Sequence, residues 1–418
     1  MRPADRLVRR ALATLLLGDE SRAAAVADRL SGADWAALVD LSGAWRVLPA
    51  LRRRVTALDP PPEVAATLHR YSAAAAAQSA FVVHGAARIA ERLAAAGVAS
   101  AACKGVGVIG ALGLDPAERM LLDVDLLVAP GDAPRALAVV TESGADVVDF
   151  PGAPHALTDP AAWQPVLARR SRLGNLAVAA RDADGLEVDV HWGVGVGASA
   201  SLDTRAIVGR AQTVAVLGRS LEVAAPADAV LITLDHAVRS GFTPATTLKD
   251  LDDLIRWWRA DERWDPAEVA RDAAEVGLDV ALVAAWRLIS RWGAVPAAAT
   301  EADRLSRSLP DRSARRAAAL VGVFDDQLDH GALHADLLVL LSSPARLRLV
   351  AGWARRRLRR SGPAGAPGVP ARPLGERFRR LLAEARPRRV ASYRAVMGSQ
   401  GGHRDLEGKA RPSSARRA

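Results

Sequence analysis

The segment CKGVGVIGALGLDPAERMLLDVDLLV, from Cys103 to Val128, sets the architecture of this chain. Its pattern predicts the end of a buried strand, a short helix, a turn and a second strand that carries Asp123 and Asp125 among apolar neighbours. Strand residues two apart point to the same face, so the two carboxylates project together. Neighbouring carboxylates on a buried sheet are unfavourable unless a cation neutralises them. The segment therefore indicates a metal site.

A second segment, NLAVAARDADGLEVDVHW from Asn175 to Trp192, supplies a third acid. The Asp184-Gly185 pair between two alternating runs predicts a β-hairpin. On its second arm Asp189 and His191 share one face. The pattern leaves three roles open for His191: a metal ligand, a substrate contact or a hydrogen-bonded packing residue.

The order of the patterns predicts an α+β protein in four parts. Residues 1–95 have the three and four spacing of helices, residues 96–225 alternate strands with short helices, and residues 226–360 return to helices. Residues 361–418 begin with a linker-like composition and are rich in arginine. We therefore expect a small mixed β-sheet module flanked by N- and C-terminal helical domains, followed by a basic, disordered tail.

The net charge of +9 is confined to that tail. From residue 361 onward there are 13 basic and 4 acidic residues, which leaves 43 of each in residues 1–360. Any affinity for a polyanion is thus expected only in the tail, which could be an RNA or DNA arm, an anionic membrane contact or a solvated extension. A single cysteine, Cys103, excludes an internal disulfide framework and favours a reduced, cytoplasmic setting.

The apolar runs are too short to span a bilayer. The first residues, MRPADRLVRRALATLLLGDE, resemble a signal peptide in their basic start, but the apolar part is short and charged residues follow it directly. We expect an amphipathic helix there. Lysine is rare, with only Lys104, Lys249 and Lys409 among 56 basic residues, so a compact ammonium is of interest where it occurs.

These motifs together resemble the bacterial family of uncharacterised nucleotidyltransferases, which belongs to a superfamily with a polymerase-beta-like fold. The similarity is carried by Lys104-Gly105, by Arg119 four residues before Asp123, and by the DVDLLV and VDVHW strands. It extends to AWRVLPALRRRV upstream and TLKDLDDLIRWW downstream, and so covers roughly residues 30 to 295.

The resemblance implies an NTP-dependent reaction at three acids. Asp123, Asp125 and Asp189 would hold two Mg²⁺ ions, with Mn²⁺ as an alternative, and NTP would be the substrate. Asp189 would hold the metal nearer the acceptor and help take its proton. Gly105 would let the backbone approach the phosphates, because it has no Cβ.

Three basic residues have two interpretations each. Lys104 either supplies charge to the phosphates or forms a surface salt bridge. Arg119 either clamps a phosphate or pairs with one of the acids of the site to hold the turn. Lys249, on a predicted helix, either reaches the triphosphate or lies on a solvated helix face.

The expected function is transfer of a nucleoside monophosphate to a hydroxyl of a small molecule, peptide or protein. The superfamily's Gly-Gly or Gly-Ser pair is replaced here by Lys104-Gly105-Val106, which lacks the phosphate-cradling hydroxyl. One alternative is therefore a catalytically inactive binding or scaffold protein of a biosynthetic gene cluster. Another is an RNA-directed transferase that uses the basic tail.

Overall fold

A mixed β-sheet carries the three acids. The computed structural model describes residues 3–148, 158–172, 176–194, 202–240, 242–260 and 264–330. Its strands are β1 (Ser100–Cys103), β2 (Asp123–Val128), β3 (Asp146–Val147), β4 (Ala177–Arg181), β5 (Glu187–His191), β6 (Gln212–Val216) and β7 (Arg219–Val223). Within the described ranges, these seven strands form one sheet in the order β3-β4-β5-β2-β1-β7-β6.

Strand β2 lies inside the sheet, between β1 and β5. It pairs antiparallel with β1 and parallel with β5, and the latter register places Asp125 opposite Asp189. Strand β5 also pairs antiparallel with β4, which confirms the predicted hairpin, and Gly185 in the connecting turn has a φ of 84°. A residue without Cβ adopts this left-handed conformation easily. The strands predicted around both acidic motifs are therefore confirmed.

Helices precede the sheet, as the apolar spacing predicts. They are α1 (Pro3–Leu17), α2 (Glu20–Ala27), α3 (Gly32–Ala44), α4 (Leu48–Val55) and the long α5 (Pro62–Ala95). Helix α5 fixes the turn that leads into β2, because the Ser79 hydroxyl donates to the Arg119 carbonyl at 2.7 Å. The first segment is helix α1, with Leu12, Leu15 and Leu16 buried in the core, as predicted for an amphipathic helix. No helix in the described part of the chain is long and apolar enough to cross a membrane.

Two helices, Pro160–Arg172 and Thr204–Gly209, and the β6–β7 hairpin were not predicted from the sequence. Helices α6 (Lys104–Leu112), α7 (Ala133–Glu142), α8 (Pro160–Arg172) and α9 (Thr204–Gly209) lie between the strands. Helix α8 was missed because Pro165 lies in its interior, where proline removes a backbone hydrogen bond. The β6–β7 hairpin was missed because its turn residues are Leu217 and Gly218, both with positive φ. Such turns favour Asn-Gly or Asp-Gly, so a Leu-Gly pair does not match the sequence pattern that predicts a hairpin turn.

Helices follow the sheet. They are α10 (Pro226–Arg239), α11 (Pro244–Arg259), α12 (Pro266–Glu275), α13 (Asp279–Arg291), α14 (Ala297–Ser308) and α15 (Asp311–His330). The mixed sheet and its many helices confirm the α+β class. All of the described residues belong to one compact unit, residues 1–355, and the division of this region at residues 95 and 225 stays a prediction. The basic tail, residues 361–418, lies outside the described residues.

Candidate functional site

The acids of β2 and β5 lie side by side at the centre of the sheet. Asp123 and Asp125 are two residues apart on β2, and the parallel register sets Asp125 against Asp189 and Asp123 against Glu187. Paired residues on adjacent parallel strands share a face of the sheet. The structure therefore brings the three predicted aspartates to one face, two from one strand and the third from its neighbour.

Asp125 is the most heavily contacted of these acids. Its Oδ1 atom lies 2.5 Å from Lys104 Nζ and 2.8 Å from His191 Nε2. Lys104 Nζ is also 3.3 Å from His191 Nε2. The exposed fraction is only 6% for Asp125 and 4% for His191, so these contacts are made away from solvent. Lys104 does form a salt bridge, but the prediction that this bridge lies on the surface is wrong, because its carboxylate partner is buried.

We refer to these residues as the strand cluster: Lys104, Asp123, Asp125, Asp189 and His191. Three of them, Asp125, Asp189 and His191, each offer a ligand atom, and those atoms all lie within 4.8 Å of one another. The Oδ1 atom of Asp189 is buried and has no hydrogen-bond partner among the described residues. A buried carboxylate oxygen without a partner is unfavourable unless it coordinates a cation. The residues present therefore fit a metal ion.

The pKa shifts in the strand cluster also favour a bound cation. Burial raises the pKa of Asp189 to about 7, and the carboxylates of Asp125 and Asp123 add to the rise. Burial and the Asp125 carboxylate also raise the pKa of Asp123. Burial opposes ionisation of Asp125 too, but Lys104 and His191 outweigh it and lower the pKa of Asp125 below its ordinary range. A divalent cation would relieve the repulsion that raises the first two values.

The glycine beside Lys104 has a packing reason to lack a side chain. A Cβ added to Gly105 would lie 2.7 Å from Leu121 Cδ2, and one added to Gly107 would lie 2.7 Å from the Ala102 carbonyl oxygen. Both approaches are closer than a Cβ normally tolerates, so α6 packs tightly on β1 and on the segment before β2. The predicted role of Gly105 toward phosphates stays a prediction. Gly107 was not singled out from the sequence, because its neighbour is a backbone oxygen.

Arg119 forms an ion pair, as one of its two interpretations predicts, but its partner is Asp253 and not one of the three acids of the site. Its guanidinium forms a buried ion pair with Asp253 on α11, and the exposed fraction of Arg119 is 6%. The partner is 134 residues away in the chain. Arg119 therefore ties the turn before β2 to the helices that follow the sheet.

A network of ion pairs extends this connection. Asp252 accepts from Arg53 at 2.5 Å and from Arg256 at 3.1 Å, and Arg256 also donates to Glu118 at 2.7 Å. We refer to this set as the α11 cluster: Arg53, Glu118, Arg119, Asp252, Asp253 and Arg256. Every acid in it is paired with at least one arginine.

Lys249 does not lie on a solvated helix face, so that expectation is wrong. Its neighbours on α11, Asp250, Asp252 and Asp253, are 3–4% exposed, and Lys249 itself is half-buried. Burial and the Arg119 guanidinium lower the pKa of Lys249. Its positive charge in turn acts on Asp123, whose pKa it lowers against the effect of burial. Lys249 therefore faces the interior between the two clusters.

His191 makes a direct contact with one of the acids, which its spacing left as one of several possibilities. In the β5 register it lies opposite Leu127, yet its ring nitrogen reaches Asp125 on the neighbouring strand. The sequence signal was its position two residues after Asp189, which places both on one face. Lys104, which contacts both Asp125 and His191, comes from the start of α6. Nothing in the sequence spacing predicts that it lies near β5.

Comparison with known proteins identifies a family. The sequence model of the family described as "Uncharacterised nucleotidyltransferase" matches residues 31–294, which is more than half of the chain and contains both clusters. A search of the curated proteins found no match.

Proposed function

We propose that this chain, which belongs to the family of uncharacterised nucleotidyltransferases, moves a nucleoside monophosphate from an NTP to a hydroxyl group of a small molecule, peptide or protein. The acceptor oxygen forms a bond to the α-phosphorus of the NTP. The bond from that phosphorus to its bridging oxygen breaks, and pyrophosphate leaves with the electron pair. The hydroxyl proton passes to Asp189 or to water.

The side-by-side arrangement of Asp123, Asp125 and Asp189 carries this proposal. Carboxylate oxygens are the ligands that Mg²⁺ and Mn²⁺ prefer, and the unpartnered Asp189 Oδ1 is available for one. We assign Asp123 and Asp125 to two cations, and Asp189 to the cation nearer the acceptor. When bound, the cations would polarise the acceptor oxygen and stabilise the charge on the phosphates.

Two lysines are proposed to bind the triphosphate. Lys104 lies beside the acids at the start of α6, and Lys249 acts electrostatically on Asp123 from α11, so both carry positive charge next to the expected position of the phosphates. Gly105 is proposed to bring its backbone N–H toward them. Arg119 is engaged by Asp253, which favours a positioning role for it over a phosphate contact.

Titration calorimetry tests binding. We expect the purified protein to bind an NTP in the presence of Mg²⁺ and to lose that binding when Mg²⁺ is removed. Asp125→Asn should abolish Mg²⁺-dependent binding, whereas Asp184→Asn, the same substitution at an exposed residue of the β4–β5 turn, should not. Mg²⁺-independent binding, or equal loss in both variants, would contradict the assignment.

A transfer assay tests the reaction itself. We expect α-labelled NTP to leave its label on an acceptor in lysate, and γ-labelled NTP to leave none there by this route. A mass-shift screen of candidate acceptors with each NTP would then identify the acceptor and the base.

A second candidate is a binding or scaffold protein that has kept the fold and lost transfer. One observation favours it: the Lys104 ammonium contacts Asp125, a proposed metal ligand, at 2.5 Å. This candidate predicts NTP or metal binding without label transfer. Label from α-labelled NTP on any acceptor, lost in Asp125→Asn, would rule it out.

A further inference from the structure

The ligand atoms beside Asp125 are not all oxygen. The three groups whose ligand atoms lie within 4.8 Å of one another are two carboxylates and the imidazole of His191. Asp123, the other acid of β2, is not part of this close set. A cation held by the close set would thus have one nitrogen and at least two oxygen ligands.

Such a mixed set has a chemical preference. Mg²⁺ is a hard cation that prefers oxygen and keeps several waters, whereas imidazole suits transition metals such as Co²⁺ and Zn²⁺. His191 is buried, and its Nε2 atom faces Asp125 Oδ1 at 2.8 Å, so the nitrogen already points at the carboxylate it would share a metal with.

The Lys104 ammonium occupies part of the space in which such a cation would bind. Its ammonium lies 2.5 Å from Asp125 Oδ1 and 3.3 Å from His191 Nε2, so it contacts two of the three ligand groups. An ammonium cannot share two ligand atoms at these distances with a metal ion, because the two positive charges would repel strongly. Cation binding therefore requires that Lys104 leave Asp125.

We propose that Asp125, Asp189 and His191 form a site that selects a divalent transition metal over Mg²⁺, and that Lys104 competes with the metal for it. The inference deepens the proposed nucleotidyl transfer and rests on it for the use of the metal. His191 sets which metal is preferred, and Lys104 sets how tightly any divalent cation binds. Once displaced, Lys104 is available to the triphosphate, which couples metal binding to nucleotide binding.

The test uses the full-length, nucleotide-free protein and Co²⁺ as the probe. Co²⁺ binding is followed by its visible absorption, and Mg²⁺ affinity is measured by competition against Co²⁺. His191→Gln removes the imidazole and keeps a hydrogen-bonding side chain. We expect it to weaken Co²⁺ binding by about 10- to 100-fold, by analogy with the loss of a metal-orienting group, and to change Mg²⁺ affinity much less.

Lys104→Met should have the opposite effect. Removing the competing ammonium is expected to strengthen both Co²⁺ and Mg²⁺ binding by about tenfold or more, because a close like charge is lost. Lys409→Met, the same substitution in residues 361–418, is the control for a general change of charge and should leave both affinities unchanged. Since His191→Gln and Lys104→Met are expected to move Co²⁺ affinity in opposite directions, misfolding cannot imitate both results.

The inference is overturned if His191→Gln weakens Mg²⁺ and Co²⁺ equally or weakens neither. It is also overturned if Lys104→Met leaves cation affinity unchanged or lowers it. These outcomes are independent of turnover. Label transfer with unaltered metal selectivity in His191→Gln would keep the proposed function and reject the metal site, whereas selective Co²⁺ binding without label transfer would do the reverse.

Discussion

Two groups of acids in this protein differ in what neutralises them. In the α11 cluster Asp252 and Asp253 are as buried as Asp125, but arginines from α4, from the turn before β2 and from α11 itself pair with them. In the strand cluster one lysine and one histidine contact Asp125, and Asp189 Oδ1 is without a hydrogen-bond partner among the described residues. Asp253 Oδ2 also lacks a hydrogen-bond partner among the described residues, and burial raises the pKa of Asp253, so the clusters differ in the arginine partners of the α11 acids, which Asp189 does not have within the described part of the chain.

This difference separates a structural role from a functional one. A buried carboxylate that has its counter-charge in the fold does not require a ligand. A carboxylate without an arginine partner, whose pKa is raised by burial and by neighbouring carboxylates, as for Asp189, gains free energy from any cation that enters. Sequence motifs alone do not make this distinction, because LKDLDDL of α11 contains three acids and LLDVDLL at the start of β2 contains two.

The largest expected effect is on stability, in the α11 cluster. Arg119→Met should lower the free energy of unfolding by about 3–5 kcal/mol, because it leaves the buried Asp253 without its arginine. Urea denaturation measures the change. The double variant Arg119→Met, Asp253→Leu should recover much of the loss, and an additive loss would contradict the pairing.

The next effect is on activity, in the strand cluster. Asp125→Asn should lower kcat/KM for transfer by at least about a hundredfold, the size seen when one electrostatic contact to a transition state is removed. Its free energy of unfolding should fall less than that of Arg119→Met, because the substitution also removes repulsion between carboxylates. Equal losses of unfolding free energy in Asp125→Asn and Arg119→Met would contradict the distinction between a functional and a structural cluster.

A pH dependence follows from the raised pKa of Asp189, about 7 in the folded chain. The ordinary value of an aspartate is about 3.9, so the folded state binds this proton more tightly than the unfolded state. The resulting stability is present in full below about pH 4 and is lost as the pH rises through about 7. Thermal unfolding of the metal-free protein should show this fall, which Asp189→Asn should reduce. A fall of the same size in that variant would contradict the assignment.

The smallest expected effect belongs to Lys249, which lies between the clusters. Lys249→Met should raise KM for the NTP by a few-fold, equivalent to about 1 kcal/mol, with little change in kcat, since a half-buried charge contributes modestly. Lys409→Met is the matched control. A change in kcat with unchanged KM would place Lys249 at the transferred group instead of at the triphosphate.

The sequence predicted most of the fold around the acids for a physical reason. Strands β1, β2, β4 and β5 have apolar residues at the spacing that a sheet requires, and Asp184-Gly185 marks the hairpin turn. These signals are local. The missed β6–β7 hairpin lacked such a signal, because leucine occupies its first positive-φ turn position.

Long-range contacts could not be predicted from local patterns. The pairs Arg119–Asp253 and Arg53–Asp252 join residues that are 134 and 199 positions apart. Without them, Lys249 appeared to lie on a solvated helix. The contact between His191 and Asp125 depends on the parallel pairing of β2 with β5. Spacing along β5 predicts only that His191 and Asp189 share a face, and it does not say which strand lies beside them.

The backbone of Lys104 has a consequence for how this position could change. Its φ is 50°, a left-handed conformation that disfavours a side chain by about 1 kcal/mol and suits glycine. Lys104→Gly would remove that strain, but it would also take the ammonium away from the buried Asp125 carboxylate, and loss of one partner of a buried pair costs about 3–5 kcal/mol, so the chain would lose stability. Position 104 therefore carries a small backbone strain together with an ammonium that neutralises a buried carboxylate.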